Sequence, residues 1–154
     1  MKRFAILAAC AVMCAASALA QNKIFAKYAD QKDIDYVCVS RPMLRLMSLA
    51  GGKSMKVNDV DISKLSGVLD RVLIIDSTNR KNTRTMAADF ATLRRDPAYE
   101  VLMEARSGDE TTVTLLNSTS DPHEFIMFVR DEEDATFIVM TGDFSADDVG
   151  QLVK

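Results

Sequence analysis

A chain of 154 residues that is 48% hydrophobic and 27% charged has enough apolar material for one self-standing core. Its formal charge of −3, from 22 acidic against 19 basic residues, lacks the concentrated Lys and Arg that a phosphate polyanion needs, so no nucleic-acid partner is expected. A single histidine excludes a multi-histidine metal centre, and three cysteines set no disulfide framework.

Residues 1–20 read as a cleaved signal peptide. Lys2 and Arg3 precede an apolar run from Phe4 to Leu19 that closes on Ala18-Leu19-Ala20, the charge, apolar stretch and small residues needed for processing before Gln21. The uninterrupted apolar stretch falls short of the ~20 residues of a membrane-crossing helix, so no transmembrane anchor is expected after cleavage. Leu7-Ala8-Ala9-Cys10 has the order of a lipobox, which makes Cys10 an alternative lipidation site, although only Phe4 to Ala9 would separate it from Arg3. Cleavage before Gln21 removes Cys10 and Cys14 with both leader cations. Cys38 is then alone, and 17 basic residues face 22 acidic ones, a formal charge of −5. The expected location is the periplasm, with a membrane-tethered lipoprotein as the alternative.

Residues 21–154 read as a single domain. Ile24, Phe25 and Tyr28 at helical spacing predict a short amphipathic helix over 22–31, and Ile34 to Ser40 alternates as a strand does. Ser40 can cap a helix that tolerates Pro42 in its first turn and continues through Leu44, Met47 and Ala50 to Gly51-Gly52. Residues 51–58 read as an exposed loop, and Asp59 or Asp61 can cap a short helix carrying Ile62 and Leu65 before Gly67. Val68 to Asp76, with Val72-Leu73-Ile74-Ile75, reads as a buried strand. The polar stretch from Asp76 to Thr85 reads as a connection. Met86, Phe90 and Leu93 then mark an amphipathic helix that Asp96-Pro97 stops.

Four strands are expected after it, Ala98–Arg106, Glu110–Asn117, Glu124–Arg130 and Ala135–Thr141, separated by turn chemistry at Ser107-Gly108-Asp109, Ser118 to Pro122 and Asp131 to Asp134. Ser145-Ala146-Asp147-Asp148 resembles a capping box opening a last helix through Leu152. The fold class is therefore α+β, a mostly antiparallel sheet of five to six strands packed with about five helices. Phe125, Met127 and Val129 alternate with the equally apolar Ile126 and Phe128, so both sheet faces need cover, from helices or from a partner or apolar ligand.

No motif carries recognisable catalysis. Lys53-Ser54 after Gly51-Gly52 ends like a phosphate-binding loop, but Met47 stands where that motif wants glycine, and a surface loop is expected. His123 follows Asp121-Pro122 and reads as an exposed turn histidine without a serine elbow to serve. Cys38 lies between Val37 and Val39 and reads as a packed thiol rather than a partner for His123. Asp131-Glu132-Glu133-Asp134 lacks the alternating spacing of a calcium loop and reads as a solvated turn. No catalytic, cofactor or metal site is expected. Arg80, Lys81, Arg84, Arg94 and Arg95, around the ends of the amphipathic helix, form the one locally basic region and a candidate patch for an anionic partner. Asn117-Ser118-Thr119 and Asp76-Ser77-Thr78 have the form of short glycosylation signals, making Ser77 or Thr78 a candidate modification site.

Ile24, Phe25 and Tyr28, then Tyr36-Val37-Cys38-Val39-Ser40 leading into Met43-Leu44, Val72-Leu73-Ile74, Tyr99-Glu100 with Leu102-Met103, and Gly142-Asp143-Phe144 together resemble domain-of-unknown-function family 4252, small exported bacterial proteins. The resemblance spans nearly all of residues 22–154 and brings no catalytic residue. It implies an envelope location, a compact α+β fold, lipoprotein relatives, and through an association with extracytoplasmic sigma-factor operons a signalling or envelope-stress role. The expected function is a non-catalytic envelope protein, a binding or signalling-accessory module for an unidentified envelope protein. The alternative is a periplasmic carrier of an apolar ligand or lipid, which the doubly apolar strands and seven methionines after residue 20 would suit.

Overall fold

Six segments rich in β-branched and aromatic residues pair into one antiparallel sheet. The computed structural model describes residues 23–49, 56–57, 60–61, 67–108, 111–118, 123–145 and 148. The expected signal peptide with Cys10, the Gly51-Gly52-Lys53-Ser54 loop, Ile62 and Leu65, Thr119 and the end of the expected last helix lie outside those residues.

In chain order the elements are α1 (Lys23–Ala26), β1 (Asp35–Ser40), α2 (Arg41–Leu49), β2 (Lys56–Val57), β3 (Val60–Asp61), β4 (Leu69–Ser77), α3 (Arg80–Arg95), β5 (Tyr99–Ser107), β6 (Thr111–Ser118), β7 (His123–Arg130) and β8 (Ala135–Gly142). The main sheet runs β1-β4-β8-β7-β6-β5, and β2 and β3 form a separate two-stranded ladder. Strands β5 to β8 make a meander, and α3 carries the chain from β4 across to the β5 edge. Register joins residues into rows: Cys38, Leu73, Val139, Ile126 and Leu116 lie side by side on one face, and Val37, Ile74, Ile138, Met127, Leu115 and Met103 on the other.

Both faces are covered, but unequally. The larger core packs Leu73, Ile75, Phe128, Phe137 and Val139 against Phe25 and Tyr28 of the first helical segment and Met86, Phe90 and Leu93 of α3. Its centre is aromatic: Phe90 stacks on Phe128 at 4.5 Å between centroids, Phe137 lies 4.6 Å from Phe128, and Phe25 meets Phe137 edge-on at 5.3 Å. On the opposite face Leu44 of α2 and Phe144 pack on Leu69, Val72, Leu115, Phe125, Ile138 and Met140.

The expected five helices are corrected to three among the described residues. The first is one turn, Lys23–Ala26, because the chain passes into successive turns closed by Tyr28 N–H to Phe25 O and Gln31 N–H to Tyr28 O, and Asp33 takes a positive φ of 62°. Lys56–Val57 and Val60–Asp61 contribute strand, where a loop and a helix cap were expected. Helix α3 begins inside the supposed polar connection, because Asn79 caps it: its Oδ1 accepts from Lys81 N at 2.9 Å and Asn82 N at 3.5 Å. The capping box at Ser145 does form, with Asp148 Oδ2 accepting from Ser145 N and Oγ, each at 2.8 Å, and those bonds hold the Asp148 carboxyl below its ordinary range.

Candidate functional site

Helix α2 starts where β1 stops, with Pro42 in the first turn, where no intrahelical donor is required. Its 3.6-residue period turns Leu44 onto the sheet, 1% exposed, with Met47 half-buried on the same side. The remaining large apolar residues point outward. Met43 is 51%, Leu46 62% and Leu49 84% exposed, and scattered single leucines on a surface are unremarkable, but three on one short helix are a patch. An open groove of about 380 Å³ runs along it, lined by Arg41, Pro42, Arg45, Leu46 and Leu49. Arg41 is held in place by Asp70, Nε to Oδ1 at 3.1 Å, while Arg45 makes no ion pair among the described residues. The site therefore joins apolar side chains to guanidinium groups at the surface.

A second grouping lies under cover on the α3 side. Register places Arg71, Thr141 and Glu124 in one row across β4, β8 and β7. Arg71 is 7% and Glu124 5% exposed. Tyr99 O–H donates to Glu124 Oε1 at 2.5 Å. Burial raises the Glu124 carboxyl above its ordinary value, against the smaller opposing effects of the Tyr99 bond and the Arg71 charge. Arg71 Nε and Nη1 and Thr141 Oγ1 have no hydrogen-bond partner among the described residues. A third cluster joins Tyr28, whose hydroxyl donates to Asp89, to Lys27, which pairs with Asp89 at 2.5 Å and lies over the Tyr28 ring. Burial and the Asp89 carboxylate push the Tyr28 hydroxyl far upward, so it stays protonated.

The residues singled out in the sequence are scattered. Arg80, Lys81 and Arg84 open α3 while Arg94 and Arg95 close it, about 15–22 Å away at 1.5 Å per residue, and Arg94 is paired with Glu104 at 2.7 Å. All five are exposed, but they form two groups rather than one patch. Ser77 is buried, its Oγ donating to Asp33 O at 3.0 Å and accepting from Asn79 N, whereas Thr78 is exposed. His123 is a half-buried first residue of β7, not an exposed turn residue, because pairing with Gly142 extends the strand by one position. It shares the face of Phe125, and Cys38 packs on the opposite core, so the sheet itself separates the thiol from the imidazole. Asp131 to Asp134 form the exposed β7–β8 turn, closed by Asp131 N to Asp134 O at 2.9 Å. Among the described residues no group of three or more His, Cys, Asp or Glu is placed to hold a metal ion, and no helix is long and apolar enough to cross a membrane.

The outward face of α2 escaped the sequence reading. The periodic stripe through Leu44 and Met47 was legible, but which of two apolar stripes faces the sheet depends on the strand that precedes the helix. A usable signal was present: Arg41, Arg45, Lys53 and Lys56 with no acid between Arg41 and Asn58.

A family model described as "Domain of unknown function (DUF4252)" matches residues 28–152. No curated protein and no solved structure matches the chain.

Proposed function

We propose that this chain, which belongs to the DUF4252 family of proteins of unknown function, is a non-catalytic binding module of the bacterial envelope that engages its partner through α2. The observation that carries this reading is the outward exposure of Met43, Leu46 and Leu49 beside Arg45. Leaving that apolar area in water forgoes burial that a contact would recover. Of the chemistry-bearing groups that the fold brings together, Arg71 and Glu124 are buried and Tyr99 is half-buried with its hydroxyl on Glu124, an arrangement that favours a role in the fold over turnover. The aromatic stack of Phe90, Phe128 and Phe137 fills the larger core with side chains, which favours a surface contact over carriage of an apolar ligand inside it.

The leader sequence supports an envelope location for this contact. A photo-crosslinking residue placed at Leu46 or Leu49 in cells tests the reading: adducts are expected from both positions and not from the exposed Thr92 of α3. Equal labelling from Thr92, or none from α2, removes it.

A further inference from the structure

We infer that the surface α2 docks on is the anionic face of a lipid bilayer, an inference that rests on the α2 contact proposed above. Three observations point to lipid. The outward residues Met43, Leu46 and Leu49 are spaced i, i+3, i+6, so they form a slanting row over about a third of the helix circumference, all of it exposed. Basic side chains adjoin that row, Arg45 and the Asp70-paired Arg41 lining the same groove as Leu46 and Leu49. Charge is segregated along the chain: residues 41–58 hold Arg41, Arg45, Lys53 and Lys56 and no acid, in a protein that carries 22 acidic residues elsewhere.

That combination of apolar side chains with basic neighbours is what an interfacial helix uses, the former entering the acyl boundary and the latter meeting headgroup phosphates. The acidic remainder of the chain is repelled by the same headgroups, so the charge pattern orients the molecule with α2 toward the bilayer. The other exposed apolar run, Val101-Leu102-Met103, is different in kind. It lies on the free edge strand β5, where Glu100, Glu104 and an irregularity between Val101 and Met103 guard against pairing with another strand. Arg45, Arg41 with its Asp70 partner, and three apolar side chains make a weak, reversible anchor, which suits a protein that visits the surface or holds to it with a second attachment.

The test is vesicle flotation of the protein purified from a bacterial envelope, with Cys10→Ala in every version so that acylation cannot contribute. Vesicles of phosphatidylcholine alone are compared with vesicles that also contain phosphatidylglycerol. Binding is expected on the mixed vesicles, falling with added salt. Arg45→Glu is expected to weaken it by about fivefold or more, the effect of one basic residue near an anionic surface, and Leu46→Glu with Leu49→Glu to abolish it. Unchanged thermal unfolding of these surface variants establishes that the fold is intact. Equal binding to both vesicle types, no binding at low salt, or binding indifferent to the α2 variants overturns the inference. The in-cell crosslink from Leu49 separates the two levels: protein adducts without vesicle binding overturn the lipid partner and leave α2 a contact surface, whereas no adduct of any kind removes both.

Discussion

Leu44 and Leu49 sit five residues apart on one nine-residue helix and at opposite extremes of burial, 1% and 84% exposed. Leu44 closes the core formed with Leu69, Val72, Phe125 and Phe144, while Leu49 contributes to the outer groove. Leu44→Ala is therefore expected to cost about 2–5 kcal/mol through lost burial and the cavity left behind. Leu49→Ala should change stability by no more than about 0.5 kcal/mol. Urea unfolding of both variants checks this, and similar losses in the two would mean that α2 is buried on its outer side as well.

Gly142 ends β8 where β4 is irregular. A Cβ there would stand 2.3 Å from Val68 O and 2.8 Å from Leu69 Cα, both backbone atoms that cannot swing aside, and Val68 O already accepts from Asp143 N. Gly142→Ala is expected to destabilise by at least about 1–3 kcal/mol. Gly67, with open space where its Cβ would be, is the control: Gly67→Ala should stay within about 0.5 kcal/mol. A neutral Gly142→Ala in thermal or urea unfolding would contradict the close approach of these strands.

Burial raises the Glu124 carboxyl above the ordinary value of 4.5. The folded state thus holds this proton more tightly than the unfolded state, so the contribution is fully present below about pH 4.5 and is lost as pH rises through the folded value. Glu124→Gln removes that dependence while its amide oxygen can still accept from Tyr99. Stability of the variant relative to the parent should therefore rise as pH increases from 4.5 toward neutrality. Urea midpoints across that range supply the measurement, and parallel pH profiles would contradict a buried ionisable Glu124.

The strands were legible in the sequence because their cue is local. Val72-Leu73-Ile74-Ile75 and Phe137-Ile138-Val139-Met140 are too short and too branched to prefer a helix, and β4 and β8 appear there within one residue of the expected bounds. Helix α3 was recognised by Met86, Phe90 and Leu93, but its first turn was missed, since Arg80-Lys81-Asn82 carries no apolar signal and only the Asn79 cap starts it. The Arg71, Glu124 and Tyr99 row was not legible at all. Those residues are 25 or more positions apart and meet only through the register of β4, β8 and β7 and a tyrosine at the start of β5. The α2 surface failed for a related reason: amphipathicity is local, but which face is inward depends on the sheet.

The central claim is that α2 is the contact surface, and crosslinking from Leu49 in the native envelope tests it most directly. A photoreactive residue at Leu49 should give adducts that Arg45→Glu diminishes, while the same residue at Thr92 gives none. Adducts that form equally from both positions, or their absence at Leu49, would contradict it.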